Sequence, residues 1–222
     1  MSADNILFQV ATWLIPLVIA IVLHEIAHGW VALAFGDPTA KRKRRLSLNP
    51  LRHVDPFGTV VLPLALAVAG APVFGWAKPV PVVARRLRNP RVHMMLVSLA
   101  GPGMNLLLAI LGAFAWAGLR WLQPPEGLGW DFLILNVLHF VLINVSLAIF
   151  NLLPIPPFDG GHVVEGLLPR PLAQRYARLG RYGFPILVLL LVVLPMAHID
   201  LVGGIIEPPI RLLLGLLGVR VA

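Results

Sequence analysis

The stretch that decides the fold is residues 6–35, ILFQVATWLIPLVIAIVLHEIAHGWVALAF. Residues 6–23 carry no charged side chain, and at ~1.5 Å of rise per residue they nearly span a hydrocarbon core of ~30 Å. The helical pattern can continue to Phe35, where Gly36-Asp37-Pro38 stops it. The sequence therefore predicts a membrane-spanning helix that carries a polar cluster near its end.

The composition indicates that most of the chain is surrounded by lipid. Of the 222 residues, 58% are hydrophobic and 13% are charged. A water-soluble domain of this length leaves too much surface in water to hide so many apolar side chains. We therefore expect one integral membrane domain over residues 1–222. Because Met1–Asn5 lack Lys and Arg, we expect the first segment to be retained rather than removed as a signal peptide.

The fold class predicted is an all-α polytopic membrane protein with about four to six transmembrane segments. Further spans are expected at residues 92–119, 132–158 and 182–199, which contain no Asp, Glu, Lys or Arg. Residues 56–77 are also uncharged, but Gly and Pro interrupt them, so a re-entrant or β-like loop shielded by protein is expected after the first helix. For residues 201–219 the sequence does not decide between spanning and lying in the interface.

Positive charge is concentrated in three loops. The net charge is +8, and the basic side chains cluster at 41–45, 85–91 and 170–181. The positive-inside rule puts all three loops in the cytoplasm if the N-terminus is extracytoplasmic and residues 56–77 do not cross the membrane. The chain lacks the interleaved aromatic and basic residues typical of nucleic-acid binding, so no nucleic-acid partner is expected.

The first span carries a possible metal site, His24-Glu25-Ile26-Ala27-His28. On a helix the two histidines share one face, so both imidazoles can reach one zinc ion, while Glu25 can take a proton from water and pass it to a leaving amine. Ionisable groups inside a span are costly and usually functional. The alternative is a polar cluster at the interface, with the histidines bonded to neighbouring helices.

A third zinc ligand is expected because catalytic zinc has three protein ligands, and the chain contains no cysteine. Asp159 is the strongest candidate, since the prolines before it and Gly160-Gly161 after it allow an irregular backbone that can aim the carboxylate inward. A helix-capping role for Asp159 is about equally consistent with residue chemistry alone. Glu165 is a weaker rival ligand.

Five strings occur together in order: HEIAH at 24–28, NPLRHVDPFGT at 49–59, GWAKPVPV at 75–82, AGPGMN at 100–105, and the run NLLPIPPFDGGH at 151–162. Together they resemble the site-2 protease family of intramembrane zinc metalloproteases, in particular its compact prokaryotic members without PDZ or CBS domains. The family's usual Leu before the Asp-Gly motif is Phe158 here, a change that we expect to be harmless.

The resemblance implies that His24, His28 and Asp159 hold one Zn²⁺ per chain and that Glu25 is the catalytic base. It implies a zinc metalloendopeptidase that hydrolyses peptide bonds of transmembrane-helix substrates, as in regulated intramembrane proteolysis. The expected partners are a single-pass membrane protein substrate and the lipid bilayer of a prokaryotic inner or plasma membrane. Nothing in the sequence indicates the oligomeric state.

Other polar residues have two possible roles each. Asn151 could bind the substrate backbone or a developing oxyanion, or form a helix–helix hydrogen bond. His53 could contact substrate, or brace the loop together with Asp55. His162 could support Asp159 or lie at the interface, and Asn105 is expected to join helices. Three further histidines are interpreted as packing or interfacial residues: His93, His139 and His198.

Two other functional classes stay open. One is a zinc-binding membrane protein without protease activity, such as a transporter or a pseudoprotease, and the other is a structural membrane bundle. The intact Glu25 argues against an inactive enzyme. Few polar residues lie along the other spans, which argues against a transport path.

Overall fold

The computed structural model describes residues 5–122 and 127–219, which are mostly helical and contain no β-strand. Short 3-10 turns lie at Pro50–His53, Ala84–Arg86 and Arg178–Tyr182, and π-helical turns lie at Pro56–Val61 and Leu189–Val193. The α-helices are α1 (Ile6–Ala34), α2 (Thr39–Arg42), α3 (Leu62–Val68), α4 (Pro90–Leu122), α5 (Leu128–Asn151), α6 (Asp159–Leu167), α7 (Arg170–Ala177), α8 (Gly183–Val188), α9 (Leu194–Met196) and α10 (Leu201–Leu216).

Four helical stretches in the described residues are long and apolar enough to cross a membrane: Ile6–Ala34, Pro90–Leu122, Leu128–Asn151 and Arg170–Met196. Each overlaps one of the four predicted spans, so the prediction of an all-α polytopic membrane protein is confirmed. The third stretch ends at Asn151 rather than at residue 158, because the proline run 154–157 does not continue it, and the fourth ends at Met196 rather than at residue 199. The last stretch begins at Arg170 rather than at residue 182, because the basic helix α7 continues through a 3-10 turn into the apolar part. Residues 1–4, which bear on the retained-segment prediction, lie outside the described residues.

Helix α1 is bounded by local capping interactions. The Asn5 side chain accepts a hydrogen bond from the Leu7 N–H at 2.9 Å, which satisfies one of the free donors of the first turn. At the other end Gly36 has a φ of +106°, a left-handed conformation that glycine adopts readily. The Arg88 side chain donates to the Ala34 carbonyl at 2.8 Å. The predicted stop after Phe35 is therefore where the helix ends.

The loop after α1 is not β-like. Residues Pro56–Val68 are helical, because the Asp55 carboxylate accepts hydrogen bonds from the N–H groups of Phe57 and Gly58 at 3.1 and 2.8 Å and so starts a helix. After Gly70, residues 72–83 form neither helix nor strand. The N–H groups of Trp76, Lys78 and Val80 bond to one side of the chain, as alternate residues of an extended chain do, so we call residues 72–83 the extended segment. Whether this loop re-enters the membrane stays a prediction.

Helices α1, α4 and α5 pack against one another and form the centre of the molecule, with α6 against α4. Small side chains make this packing close: Ala109 and Ala113 of α4 lie against Val141 and Val145 of α5. Helix α10 completes this cluster, and it continues through Pro208 and Pro209 instead of breaking there. With 16 residues, α10 is shorter than the four candidate spans. The packing of α1, α4 and α6 brings the predicted metal-binding residues together.

Candidate metal centre

Three side chains from two helices meet inside the bundle. His24 and His28 lie one turn apart on α1, and Asp159 is the first residue of α6. The Asp159 Oδ2 lies 3.3 Å from the His24 Nε2 and 3.4 Å from the His28 Nε2, and the two Nε2 atoms are 3.0 Å apart. Both histidines are buried. Among the described residues, this is the group of His, Asp and Glu side chains close enough to share a metal ion.

The protonation of each imidazole follows from the partner of its Nδ1 atom. The His24 Nδ1 lies 2.6 Å from the Asn105 Oδ1, and the His28 Nδ1 lies 2.7 Å from the Val97 carbonyl oxygen. Both partners are acceptors, so each Nδ1 must carry the hydrogen and donate it. In the neutral imidazoles that metal ligation requires, each Nε2 atom then has a lone pair that faces the Asp159 carboxylate.

The Asp159 carboxylate places a further hydrogen-bond acceptor beside the two Nε2 atoms. Its Oδ2 is buried and has no hydrogen-bond donor in the described part of the chain. Three acceptor atoms that face one another without a proton between them need a cation.

The separations of these atoms fit zinc. Four ligands at ~2.0–2.1 Å in a tetrahedron stand about 3.3 Å from one another. The three observed separations run from 3.0 to 3.4 Å. Imidazole nitrogens and a carboxylate oxygen are also ligand types that zinc accepts. The residues present therefore fit a zinc ion with one coordination position left open.

Glu25 lies beside the cluster but outside it. Its Oε2 accepts a hydrogen bond from the Val80 N–H at 2.7 Å, which ties α1 to the extended segment 72–83. Glu25 lines the same cavity as His24, His28 and Asp159, a space of about 620 Å³ whose other walls include the extended segment, the start of α4, the end of α5 and helix α8. A partly exposed carboxylate next to the ligand set can exchange protons with groups in that cavity.

Helix α4 approaches the imidazoles closely at Gly101. A methyl group at this position would overlap the rings of His24 and His28. Pro102 follows, and because proline has no N–H, the Ser98 carbonyl receives no helical hydrogen bond from residue 102. The absence of a side chain at Gly101 lets the α4 backbone, including the Val97 carbonyl, come within hydrogen-bond distance of the ligand helix.

The remaining predicted residues fall in different places. Asn151 lines the cavity, and its Nδ2 donates to the Leu147 carbonyl of its own helix at 2.9 Å rather than to another helix.

His53 is buried away from the cavity lining, and its Nε2 lies 2.9 Å from the Ser47 carbonyl oxygen, so it braces the loop. His162 lines the cavity, with its Nδ1 3.4 Å from the Glu165 Oε2. Glu165 is thus paired with His162 and is not among the three converging side chains.

One polar residue of the site was not anticipated. Asn144 of α5 is fully buried and accepts a hydrogen bond from the Asn105 Nδ2 at 2.8 Å. An asparagine in the middle of an uncharged span was the signal that could have identified it, since buried polar residues in spans seek partners. The Val97 carbonyl and the Val80 N–H are backbone groups, and no residue type marks them in a sequence.

These observations define a class: a polytopic membrane protein with a candidate zinc centre of the HExxH kind on its first spanning helix. Comparison with known proteins makes the assignment specific. Residues 127–194 match the model of Peptidase family M50. No solved structure gives a significant match to the chain.

Two relatives show the extent of the similarity. The chain is 41% identical over 184 residues to "Putative zinc metalloprotease YwhC" of Bacillus subtilis, a match that covers 80% of this chain and 78% of the relative. It is 32% identical over 184 residues to "Putative zinc metalloprotease Rip2" of Mycolicibacterium smegmatis, covering 82% of this chain and 66% of that protein. The chain therefore belongs to peptidase family M50, the site-2 protease family, and this membership identifies it as a metalloprotease.

Proposed function

We propose that the protein is an intramembrane zinc metalloendopeptidase that hydrolyses peptide bonds of transmembrane-helix substrates, as in regulated intramembrane proteolysis. The observation that carries this proposal is the convergence of three possible ligand atoms, two imidazole Nε2 atoms and one carboxylate oxygen, 3.0 to 3.4 Å apart, within the spanning bundle and beside Glu25. In this proposal His24, His28 and Asp159 hold one Zn²⁺ per chain. The zinc named in the relatives' own names supports the same metal.

The proposed chemistry divides between the ion and the chain. A zinc ion at this site supplies Lewis acidity, which acidifies water and polarises a peptide carbonyl. Glu25 removes a proton from the attacking water and delivers it to the leaving nitrogen. The Val80 N–H holds the Glu25 carboxylate in the cavity by the 2.7 Å hydrogen bond. Asn151, which lines the same cavity, is proposed to contact the substrate backbone or the developing oxyanion.

The extended segment 72–83 is proposed to present the substrate. A transmembrane helix hides its carbonyls in internal hydrogen bonds, so it must unwind locally before cleavage. The N–H groups of Trp76, Lys78 and Val80 donate to Gly58, His53 and Glu25 on the protein side. In an extended chain the intervening residues present their N–H and C=O groups to the opposite edge.

That opposite edge belongs to Gly75, Ala77 and Pro79, which line the cavity. An unwound substrate strand can pair with this edge by β-addition. Since Pro79 and Pro81 have no N–H, donors to the substrate come from Gly75 and Ala77. The pairing surface thus lies at 75–79, towards the end of the loop predicted from sequence and just beyond it.

We propose a topology in which the N-terminus is extracytoplasmic and the three basic loops are cytoplasmic. The substrates are single-pass membrane proteins that reach the cavity from the bilayer. Within the described residues, the cavity joins α1 to segment 72–83 and the end of α5, all near the ends of spans that adjoin basic loops. Water would therefore enter from the basic side.

Cleavage of a fluorescent single-pass peptide by the purified protein in detergent tests the proposal. Wild type should cleave within the spanning segment, as located by mass spectrometry, and a chelator followed by added zinc should abolish and restore the activity. Glu25→Gln should keep its zinc, because the amide oxygen can still accept from the Val80 N–H, and should cleave at least about 100-fold more slowly.

Two outcomes would reject the proposal. Cleavage by Glu25→Gln at the wild-type rate would remove the proposed base. Zinc binding by wild type without chelator-sensitive cleavage of helical substrates would favour a transporter or a pseudoprotease instead.

A further inference from the structure

A chain of hydrogen bonds connects the α5 backbone to the imidazole of His24. The His24 Nδ1 lies 2.6 Å from the Asn105 Oδ1, the Asn105 Nδ2 donates to the Asn144 Oδ1 at 2.8 Å, and the Asn144 Nδ2 donates to the Phe140 carbonyl at 2.8 Å. The Asn105 Nδ2 also lies 3.4 Å from the Ala20 carbonyl of α1. Both asparagines are fully buried, with 0% of their surface exposed.

The direction of every bond in this chain follows from its last acceptor. A backbone carbonyl can only accept, so the Asn144 amide must turn its NH₂ towards Phe140 and its oxygen towards Asn105. Asn105 must then present its NH₂ to Asn144 and its oxygen to His24. The His24 Nδ1 is therefore obliged to donate, and its Nε2 is left without a proton.

Both histidines carry the hydrogen on Nδ1, but the acceptor that requires this differs between them. The His28 Nδ1 meets the Val97 carbonyl directly at 2.7 Å, an acceptor that cannot reverse. His24 meets an amide, and an isolated amide could turn either its oxygen or its NH₂ towards the ring. The Asn144 oxygen at 2.8 Å, helped by the more distant Ala20 carbonyl at 3.4 Å, removes that freedom, so the tautomer of His24 depends in part on a residue that does not touch it.

Helix–helix adhesion alone does not explain this arrangement. Asn136 lies on the same helix and makes the same bond to its own backbone, from its Nδ2 to the Phe132 carbonyl at 2.8 Å. Its Oδ1 is buried without a donor among the described residues. Asn144 differs because its oxygen is used, and it is used to orient the residue that contacts His24. Asn136 is therefore a matched control within one helix.

We propose that Asn105 and Asn144 are positioning residues that fix the tautomer and ring orientation of His24, so that its Nε2 lone pair faces the zinc position. This inference rests on the proposed zinc site. Partners that orient a ligating histidine typically change metal affinity by about 10- to 100-fold when removed. The membrane interior strengthens the requirement, because no bulk water is present to accept from the Nδ1–H.

Zinc affinity measured by chelator competition on the purified, folded protein tests the inference, with leucine as the near-isosteric apolar replacement. Asn105→Leu is expected to weaken zinc binding about 10- to 100-fold. Asn144→Leu is expected to weaken it in the same direction by a smaller factor, because the Asn105 amide is then oriented only by the Ala20 carbonyl at 3.4 Å. In the double variant, Asn144→Leu should add no further loss, since it acts through Asn105. Asn136→Leu should leave zinc affinity unchanged.

The visible spectrum of the cobalt-substituted protein provides a second readout that a purely structural role would not move. The spectra of Asn105→Leu and Asn144→Leu should differ from the wild-type spectrum, and that of Asn136→Leu should not. If Asn105→Leu does not fold, Asn144→Leu decides alone: unchanged affinity and spectrum overturn the inference. Equal losses from Asn144→Leu with and without Asn105 would also overturn it. Wild type that binds no zinc would instead reject the proposed zinc site itself.

Discussion

At the residue scale, Gly101 is the position where an absent side chain allows the site to form. The α4 backbone lies so close to the imidazoles of His24 and His28 that a methyl group at 101 would overlap both rings. The Val97 carbonyl reaches the His28 Nδ1 from the same part of α4. The geometry of the proposed ligands therefore depends on a glycine on another helix.

Gly101→Ala is expected to weaken zinc binding at least about tenfold, because the added methyl group moves the imidazoles away from Asp159. Gly103→Ala is the control on the same helix, since a methyl group there meets no atom of the described chain within 4 Å. It should keep zinc affinity and should not weaken α4, because alanine favours helix over glycine by about 1 kcal/mol. Chelator competition measures both, and equal affinities for wild type and Gly101→Ala would contradict this interpretation.

The proposed catalytic residues were predictable to different degrees. His24, Glu25 and His28 follow from their spacing, because helical periodicity alone puts both imidazoles on one face. Asp159 could not be separated from a capping residue by its own chemistry, and only the family resemblance favoured it. The acceptors of both Nδ1 atoms were beyond prediction, because a backbone carbonyl and a buried amide are identified by packing between helices distant in sequence.

At the scale of single elements, helix α1 contains a proline that removes one backbone hydrogen bond, and a side chain of α5 replaces that bond. Pro16 has no N–H, so the Thr12 carbonyl loses its helical donor inside the membrane. The His139 Nδ1 of α5 lies 2.9 Å from that carbonyl oxygen, and the His139 ring stacks on Trp13 at 3.9 Å. His139 is therefore a specific hydrogen-bond donor, which refines the prediction of a packing residue.

His139→Leu is expected to destabilise the protein by about 0.6–1.7 kcal/mol through loss of this bond, in addition to the lost stacking on Trp13. In a Pro16→Ala background the alanine N–H can again donate to Thr12, so the same substitution should cost less. Unfolding in detergent of the four proteins in this cycle measures the difference. An identical cost of His139→Leu in both backgrounds would show that the carbonyl does not need His139.

The turn after α1 depends on one buried carboxylate. Asp37 is fully buried and accepts hydrogen bonds from the Thr39 hydroxyl, from the Thr39 N–H at 3.0 Å and from the Val83 N–H at 2.6 Å, with Arg86 at 3.9 Å. Burial raises the pKa of the Asp37 carboxyl, but the bonds from Thr39 and Val83 and the charge of Arg86 outweigh burial and lower it. Asp37 thereby joins the end of α1 to the end of the extended segment.

Asp37→Asn is expected to lower the free energy of unfolding by about 1–3 kcal/mol at pH 7, because the amide cannot accept as many hydrogen bonds as the carboxylate. A carboxyl whose pKa is lowered by folding stabilises fully above its unfolded pKa of about 3.9 and loses that contribution as pH falls through its folded pKa. The difference in free energy of unfolding between wild type and Asp37→Asn should therefore become smaller below pH ~4. Thermal unfolding at pH 7 and at pH ~3 measures it, and an unchanged difference would contradict the assignment.

In the loop after α1, the positions of Gly and Pro in the sequence did not predict which residues are helical. Its many Gly and Pro residues favoured a β-like or re-entrant path, yet Asp55 caps a helix over Pro56–Val68. The extended part begins only after Gly70, and its partners are carbonyls at Gly58 and His53 and the carboxylate of Glu25. Because those partners lie on separate elements, the sequence could not specify which residues are extended.

At the scale of the whole molecule, hydropathy predicted the four long spans and their order, while it left the total between about four and six because residues 56–77 and 201–219 were undecided. The four uncharged segments correspond to four helices, because backbone polar groups in lipid must be satisfied within a helix. The fourth stretch, Arg170–Met196, is mostly exposed, and Phe184 touches Trp76 edge-to-face at 5.9 Å between ring centroids. Its loose packing could not be predicted, since its hydropathy resembles that of the central helices.

The proposed zinc ion would join the two parts of the chain that hold the site. Its ligands come from α1 and from the start of α6, and the Asp159 carboxylate faces the Nε2 atoms of His24 and His28. Without a cation these three acceptors repel one another, so the ion belongs to the energetics of the bundle as well as to the proposed reaction.

X-ray absorption at the zinc edge, with zinc counted per chain, in wild type, Asp159→Ala and Glu165→Ala tests whether His24, His28 and Asp159 together hold a zinc ion. The wild type should hold about one zinc with imidazole nitrogen and oxygen neighbours at ~2.0–2.1 Å, and no thiolate, since the chain has no cysteine. Asp159→Ala should lose most of the zinc, and Glu165→Ala should keep the wild-type spectrum. A wild-type protein without zinc, or an Asp159→Ala protein with an unchanged zinc spectrum, would contradict the account.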